Sequence, residues 1–131
     1  MAEINVRELL EKAREAKGNS YSPYSGFAVG AALLGKSGKI YLGCNIENSA
    51  FSPTCCAERA AVFSAVSGGE REFNAVAVVG DSTPCTPCGV CRQVLAEFCS
   101  AELPVITENA DGTPKIFTLG QLLPEAFAYK N

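Results

Sequence analysis

The chain contains no histidine. Acid–base chemistry at neutral pH must therefore fall to another side chain, and a zinc site must be built from thiolates or carboxylates. Basic charge is also scarce: 11 Lys and Arg stand against 14 Asp and Glu, for a net charge of −3. That balance leaves no electrostatic footprint for a nucleic acid partner. No apolar run approaches the roughly twenty residues that cross a bilayer. Met1-Ala2-Glu3-Ile4-Asn5 lacks the basic-then-apolar layout of a signal peptide, so a cytoplasmic location is expected. Repeats, linkers and low-complexity tracts are missing too. The 131 residues are expected to form one domain, 1–131.

Apolar residues make up 47% of the chain and charged residues 19%, the balance of an ordinary globular protein. Cysteine is abundant, at positions 44, 55, 56, 85, 88, 91 and 99. The odd number fits a disulfide framework poorly, and in a reducing compartment such residues serve as metal ligands or buried fillers. Cys44 and Cys99 read as small buried apolar residues.

Cys56-Ala57-Glu58 and Pro87-Cys88-Gly89-Val90-Cys91 carry the chemistry. Three thiolates on zinc leave a fourth position open for water, and an open position marks a catalytic rather than a structural site. Glu58 stands two residues beyond the first ligand, within reach of that water's proton. Cys88 and Cys91 share a helix face, and all three cysteines fall near helix N-termini, where orphan N–H groups and the helix dipole favour thiolates. Three thiolates overcompensate a divalent ion, so a cation must offset them. Arg59 is predicted to hydrogen-bond a ligand sulfur. A closed four-cysteine site using Cys55 or Cys56 with Cys85, Cys88 and Cys91 is the structural alternative, and it leaves Glu58 without a task.

Ile4, Val6, Leu9, Leu10, Ala13 and Ala16 recur at helical spacing before Gly18-Asn19. A turn-rich loop, 19–26, precedes a hairpin of 27–35 and 39–46 joined by Lys36-Ser37-Gly38. Residues 55–67 read as a helix that is apolar nearly all round and hence buried. Residues 75–79 form a central strand, and 88–99 a helix with Pro87 in its first turn. Strands follow at 103–107 and 115–118, then a helical turn at 119–123. This order predicts an α/β fold: a three-layer α/β/α sandwich around one mixed five-stranded sheet.

These motifs resemble the zinc-dependent cytidine deaminase family, whose Cys/His-x-Glu…Pro-Cys-x-x-Cys signature and chemistry are well defined. The resemblance extends to Tyr24-Ser25-Gly26-Phe27-Ala28-Val29-Gly30-Ala31-Ala32, to Gly43-Cys44-Asn45-Ile46-Glu47-Asn48 and to Leu122-Leu123-Pro124-Glu125-Ala126-Phe127. It covers nearly the whole chain and points to the small homotetrameric members. It implies one zinc ion per subunit, held by Cys56, Cys88 and Cys91. It implies that Glu58 takes a proton from the zinc-bound water, passes it to ring nitrogen N3 as hydroxide attacks C4, and later protonates the departing amino group. Asn45 and Glu47 match residues that bind the ribose 3′-hydroxyl, Phe27 one that packs on the base, and the Ala57 backbone a contact to the pyrimidine edge. Phe127 matches an aromatic group inserted by a neighbouring subunit. The family's usual Tyr after Asn-x-Glu-Asn is Phe51 here, which leaves a packing role. The substrate implied is a small nucleoside, cytidine or 2′-deoxycytidine, in pyrimidine salvage.

Two rivals stand beside this reading. Blasticidin-type deaminases share the zinc motif and resemble the chain around Asp111-Gly112 and Leu122-Leu123-Pro124. A non-enzymatic zinc-stapled module would use four cysteines. Taken singly, Phe27 reads as a core strand residue, Asn45 and Glu47 as solvated strand-edge groups, Cys55 and Cys85 as neighbours of ligands, and the Tyr21–Tyr24 loop as packing. Gln93 reads either as a support for the site or as a solvated group.

Overall fold

The computed structural model describes residues 4–129. Met1–Glu3, part of the segment read for a signal peptide, lie outside them. Asn5 opens helix α1 (Val6–Lys17) by accepting the Glu8 amide at 3.1 Å, and Leu9, Leu10, Ala13 and Ala16 form its buried stripe. Strand β1 (Val29–Gly35) pairs antiparallel with β2 (Ile40–Cys44) and with β3 (Phe73–Gly80). Strand β4 (Pro104–Glu108) lies parallel to β3 and antiparallel to β5 (Pro114–Thr118). The sheet order is β2-β1-β3-β4-β5, the mixed five-stranded sheet that the sequence predicts.

Alternation along the central strands divides the core in two. Ala32, Leu34, Ala75, Ala77, Val79 and Ile106 face α1. Ala31, Leu33, Val76, Val78 and Val105 face the other side, beneath α2 (Ala57–Ser67) and α3 (Gly89–Phe98). A short α4 (Leu119–Leu122) follows β5, opened by a Thr118–Gln121 capping box. Among the described residues no helix is long and apolar enough to cross a membrane.

Two glycines set how closely helices lie on the sheet. A Cβ at Gly30 would stand 2.0 Å from the Ala13 carbonyl oxygen of α1. A Cβ at Gly43 would stand 2.2 Å from the Ala57 carbonyl oxygen and 2.5 Å from the Ala61 nitrogen of α2. Only a residue without a side chain permits this approach.

Several expectations need correction. The hairpin strands are shorter than 27–35 and 39–46: Phe27 and Ala28 precede β1, and Asn45 and Ile46 follow β2. The chain leaves the sheet there because Ile46 forms bridges to Tyr21 and Cys55 instead of continuing the β1–β2 ladder. Helix α2 is not buried all round. Ala57, Ala61, Val62 and Ala65 meet the sheet, while Phe63 on the far side is 50% exposed. Pro87 precedes the N-cap of α3 rather than sitting in its first turn. Cys44 and Cys99 are only half-buried, and the Cys44 thiol donates to the Asn19 carbonyl at 3.4 Å. Tyr21 and Tyr24 are more than half exposed, so they contribute little of the packing expected of that loop among the described residues.

Candidate active site

Cys56 is the N-cap of α2 and Cys88 the N-cap of α3, and neither uses its side chain to cap the helix. Their sulfurs are left free to point outward beside Cys91, which is buried one turn into α3. The Sγ atoms of Cys56 and Cys88 lie 3.8 Å apart and those of Cys88 and Cys91 3.5 Å apart. All three lie within 4.8 Å of one another. Tetrahedral zinc with Zn–S bonds of about 2.3 Å needs sulfurs roughly 3.8 Å apart, so the cluster fits one zinc ion. No fourth cysteine joins it among the described residues, and the closed four-cysteine alternative is not formed. The Cys55 thiol turns to the Cys56 carbonyl at 3.5 Å. Cys85 is held away over Gly80, where burial pushes its thiol up to about 11.

The predicted cation is in place. Arg59 Nη2 donates to Cys56 Sγ at 3.3 Å. The Cys91 thiol and then this guanidinium hold the Cys56 thiol well below its ordinary value, against the opposing effect of burial. Cys91 is driven up in exchange, chiefly by its hydrogen bond to Cys56 and then by burial. One thiolate is thus stabilised in the bare cluster by a donor thiol and a cation, the polarity a divalent metal would extend to all three.

Glu58 follows on the first turn of α2 and is 4% exposed. Burial pushes its carboxyl up to about 7, with the neighbouring Cys56 adding to the rise and Arg59 opposing it. A carboxyl poised there can both accept and donate a proton near neutral pH, the task that histidine performs elsewhere.

Glu58, Cys56 and Cys88 open onto a cavity of about 290 Å³ that also exposes Phe27, Val29, Asn45, Glu47, Thr54, Cys55, Ala57, Cys85 and Thr86. Phe27 and the Cys85 thiol pack together over Gly80, whose missing Cβ would meet both. The adjoining Ala28 amide is anchored to Asp81 Oδ2 at 2.7 Å. Asn45 is no loose edge residue. Its Oδ1 accepts from the Val29 amide at 3.0 Å and from the Ser20 hydroxyl, and its Nδ2 donates to the Phe27 carbonyl at 2.8 Å. An amide side chain has two acceptor sites and two N–H groups, so one N–H remains free. Glu47 accepts from the Tyr24 and Ser25 amides at 2.9 and 3.1 Å and from the Ser25 hydroxyl. The Ser25 hydroxyl and amide hold its carboxyl below the usual range. A carboxylate offers about four acceptor sites, so roughly one remains. One free donor and one free acceptor on the wall of one cavity suit a single ligand hydroxyl.

Phe127 stands apart from this cavity, 71% exposed on the C-terminal segment, with its carbonyl accepting from Gln93 Nε2 at 3.0 Å. Gln93 therefore supports that segment rather than the cavity. Arg92 ties the same segment to the ligand loop, donating to the Pro87 and Leu122 carbonyls at 2.6 Å each. Phe51 is 74% exposed with φ of 63°, so its expected packing role is not met among the described residues. Sequence reasoning missed Thr54, Thr86 and Val29 as cavity walls, and Ser20 and Ser25 as anchors. Ser25 and Val29 lie inside the recognised Tyr24–Ala32 motif, whereas Ser20, Thr54 and Thr86 have no signal beyond their place in loops near the motifs.

Comparison with known proteins agrees with this geometry. The family model described as the cytidine and deoxycytidylate deaminase zinc-binding region matches residues 4–107. A cytidine deaminase of Sporosarcina psychrophila is 52% identical over 126 residues, 95% of this chain and 93% of that protein. Another from Halalkalibacterium halodurans is 48% identical, covering 91% of each chain. The crystal structure of cytidine deaminase from Burkholderia pseudomallei superposes with a TM-score of 0.89 at 44% identity, over 95% of this chain and all of that one. With its three-thiol cluster, buried glutamate and cavity in one place, the chain belongs to the cytidine and deoxycytidylate deaminase family.

Proposed function

We propose that this protein hydrolyses cytidine and 2′-deoxycytidine to uridine and 2′-deoxyuridine, releasing ammonia. The observation that carries the reading is the buried Glu58 carboxyl on the same cavity as the Cys56–Cys88–Cys91 cluster. Cys56, Cys88 and Cys91 would hold one zinc ion, which supplies a Lewis acid that activates water toward C4 of the base. Glu58 takes a proton from the attacking water and delivers it to ring nitrogen N3. It then takes the proton of the new C4 hydroxyl and gives it to the amino group, which leaves as ammonia as the C4 carbonyl forms. Arg59 offsets the thiolate charge. Phe27 lies against the base and the Ala57 backbone meets its edge. The free N–H of Asn45 and the free lone pair of Glu47 take the ribose 3′-hydroxyl, which both sugars possess.

The cavity wall carries no Lys or Arg, whereas it carries two glutamates. A 5′-phosphate would meet repulsion there, which favours a nucleoside over a nucleotide. Phe51, Phe63 and Phe127 leave large apolar surfaces in water, and their burial supports assembly into a homotetramer with Phe127 reaching a neighbour's cavity. Seven free cysteines suit a reducing compartment and support a cytoplasmic location.

The test is the ultraviolet spectrum of cytidine incubated with zinc-loaded protein, with ammonia measured in the same sample. Conversion to the uridine spectrum with equal ammonia release is expected. No change with folded, zinc-loaded protein would refute the reading. Sedimentation of the same sample tests the tetramer.

A further inference from the structure

We infer that Ser25 is a positioning residue whose single hydroxyl couples the sugar-binding carboxylate of Glu47 to the base-binding Phe27. The inference rests on the deaminase reading for the ligand, but the network itself does not. The Ser25 hydroxyl donates to Glu47 Oε2 and accepts from the Phe27 amide at 3.0 Å. Its direction is fixed. An ionised carboxylate can only accept, so the one hydroxyl proton goes to Glu47 and a lone pair faces the Phe27 N–H. Phe27 is gripped at its other end by Asn45 Nδ2, so both peptide groups flanking its ring are tied to the pair that would receive the sugar. Glu47 in turn has three of its acceptor sites committed to Tyr24 and Ser25. Removing the hydroxyl frees one of them and leaves the Phe27 amide without a partner. The carboxylate then gains a second open site and loses the unique orientation in which a single ligand hydroxyl fits between it and Asn45. Ser25 itself is not among the residues facing the cavity, so its effect passes through the two residues it holds.

The experiment compares zinc-loaded wild type, Ser25→Ala and Ser25→Thr on cytidine and 3′-deoxycytidine. Wild type should prefer cytidine. In Ser25→Ala the KM for cytidine should rise about tenfold, with kcat reduced by no more than about threefold, and the preference over 3′-deoxycytidine should fall by a similar factor. Ser25→Thr, which keeps the hydroxyl at a solvent-facing position, should restore both. A merely destabilised protein would lose active molecules without losing the preference. Wild-type preference in Ser25→Ala would overturn the proposal. Amide hydrogen exchange reads the network without substrate: the Phe27 and Tyr24 amides should exchange at least about tenfold faster in Ser25→Ala. Unchanged exchange at both would also overturn it. Inactivity of wild type on cytidine would instead overturn the deaminase reading, and the exchange rates would still decide the role of Ser25.

Discussion

Gly43→Ala should damage catalysis more than its single methyl group suggests. The new Cβ would stand 2.2 Å from the Ala57 carbonyl oxygen and 2.5 Å from the Ala61 nitrogen, both backbone atoms of α2. Ordinary contacts of carbon lie at about 3.5 Å, so the first turn of α2 must retreat by roughly 1 Å. That turn carries Glu58, and its N-cap is Cys56. Overpacking of this kind costs about 1–3 kcal/mol of stability. A displacement of about 1 Å at reacting groups costs on the order of 100-fold in rate. Gly30→Ala is the matched control. Its Cβ would meet Ala13 and Lys17 of α1 at 2.0 and 2.4 Å, on the face of the sheet opposite α2. Urea unfolding should show comparable losses for both variants. The kcat/KM per zinc-loaded folded molecule should fall about 100-fold for Gly43→Ala and less than about fivefold for Gly30→Ala. Wild-type kcat/KM in a folded Gly43→Ala protein would refute the idea that this close approach sets the position of Glu58.

Glu58→Gln should lower kcat by about 10²- to 10⁴-fold while zinc content by metal analysis stays at one ion per chain. It should also be the more stable protein in alkali. The folded carboxyl is raised from 4.5 to about 7 by burial, so the wild type is favoured below pH 4.5 and loses about 3 kcal/mol as pH rises to 7. Urea midpoints of the zinc-free proteins at pH 5 and pH 8 should show this loss in the wild type, relative to Glu58→Gln, and its absence would contradict the burial argument. Arg59→Leu should weaken zinc binding about 10- to 100-fold, measured by competition with a chromophoric chelator. Stripping zinc with a chelator should abolish ammonia release, and added zinc should restore it; activity that survives with no metal detectable would remove the cluster from the mechanism.

Much of this architecture was legible because its signals are local. The continuous apolar runs Ala31 to Leu34 and Ala75 to Val79 mark strands buried on both faces, and the sequence order then leaves few topologies. The cysteine spacing around Glu58 points to an open metal site, and Arg59 lies against the sulfur where charge balance requires a cation. What could not be read depends on tertiary placement. The ends of the hairpin are not legible because Phe27 and Ile46 are apolar in a run of apolar residues, while bridges to distant Tyr21 and Cys55 decide where the ladder ends. The exposure of Phe63 is not legible because composition does not say which arc of a helix meets the sheet. Ser20 and Ser25 passed as turn residues, since a serine's partner some twenty residues away leaves no trace in spacing.

The fork of Arg92 has a thermodynamic corollary. One guanidinium holds the Pro87 carbonyl, next to the ligand Cys88, and the Leu122 carbonyl, at the root of the segment that carries Phe127. If the proposed tetramer orders that segment, the same guanidinium would pass the ordering on to the loop that carries Cys88. Linkage makes the debt symmetrical: whatever factor association adds to the grip on zinc, zinc must add to association. The factor by which zinc would tighten the proposed association and the factor by which association would tighten zinc are then a single coupling free energy, which dilution and chelation would each reveal.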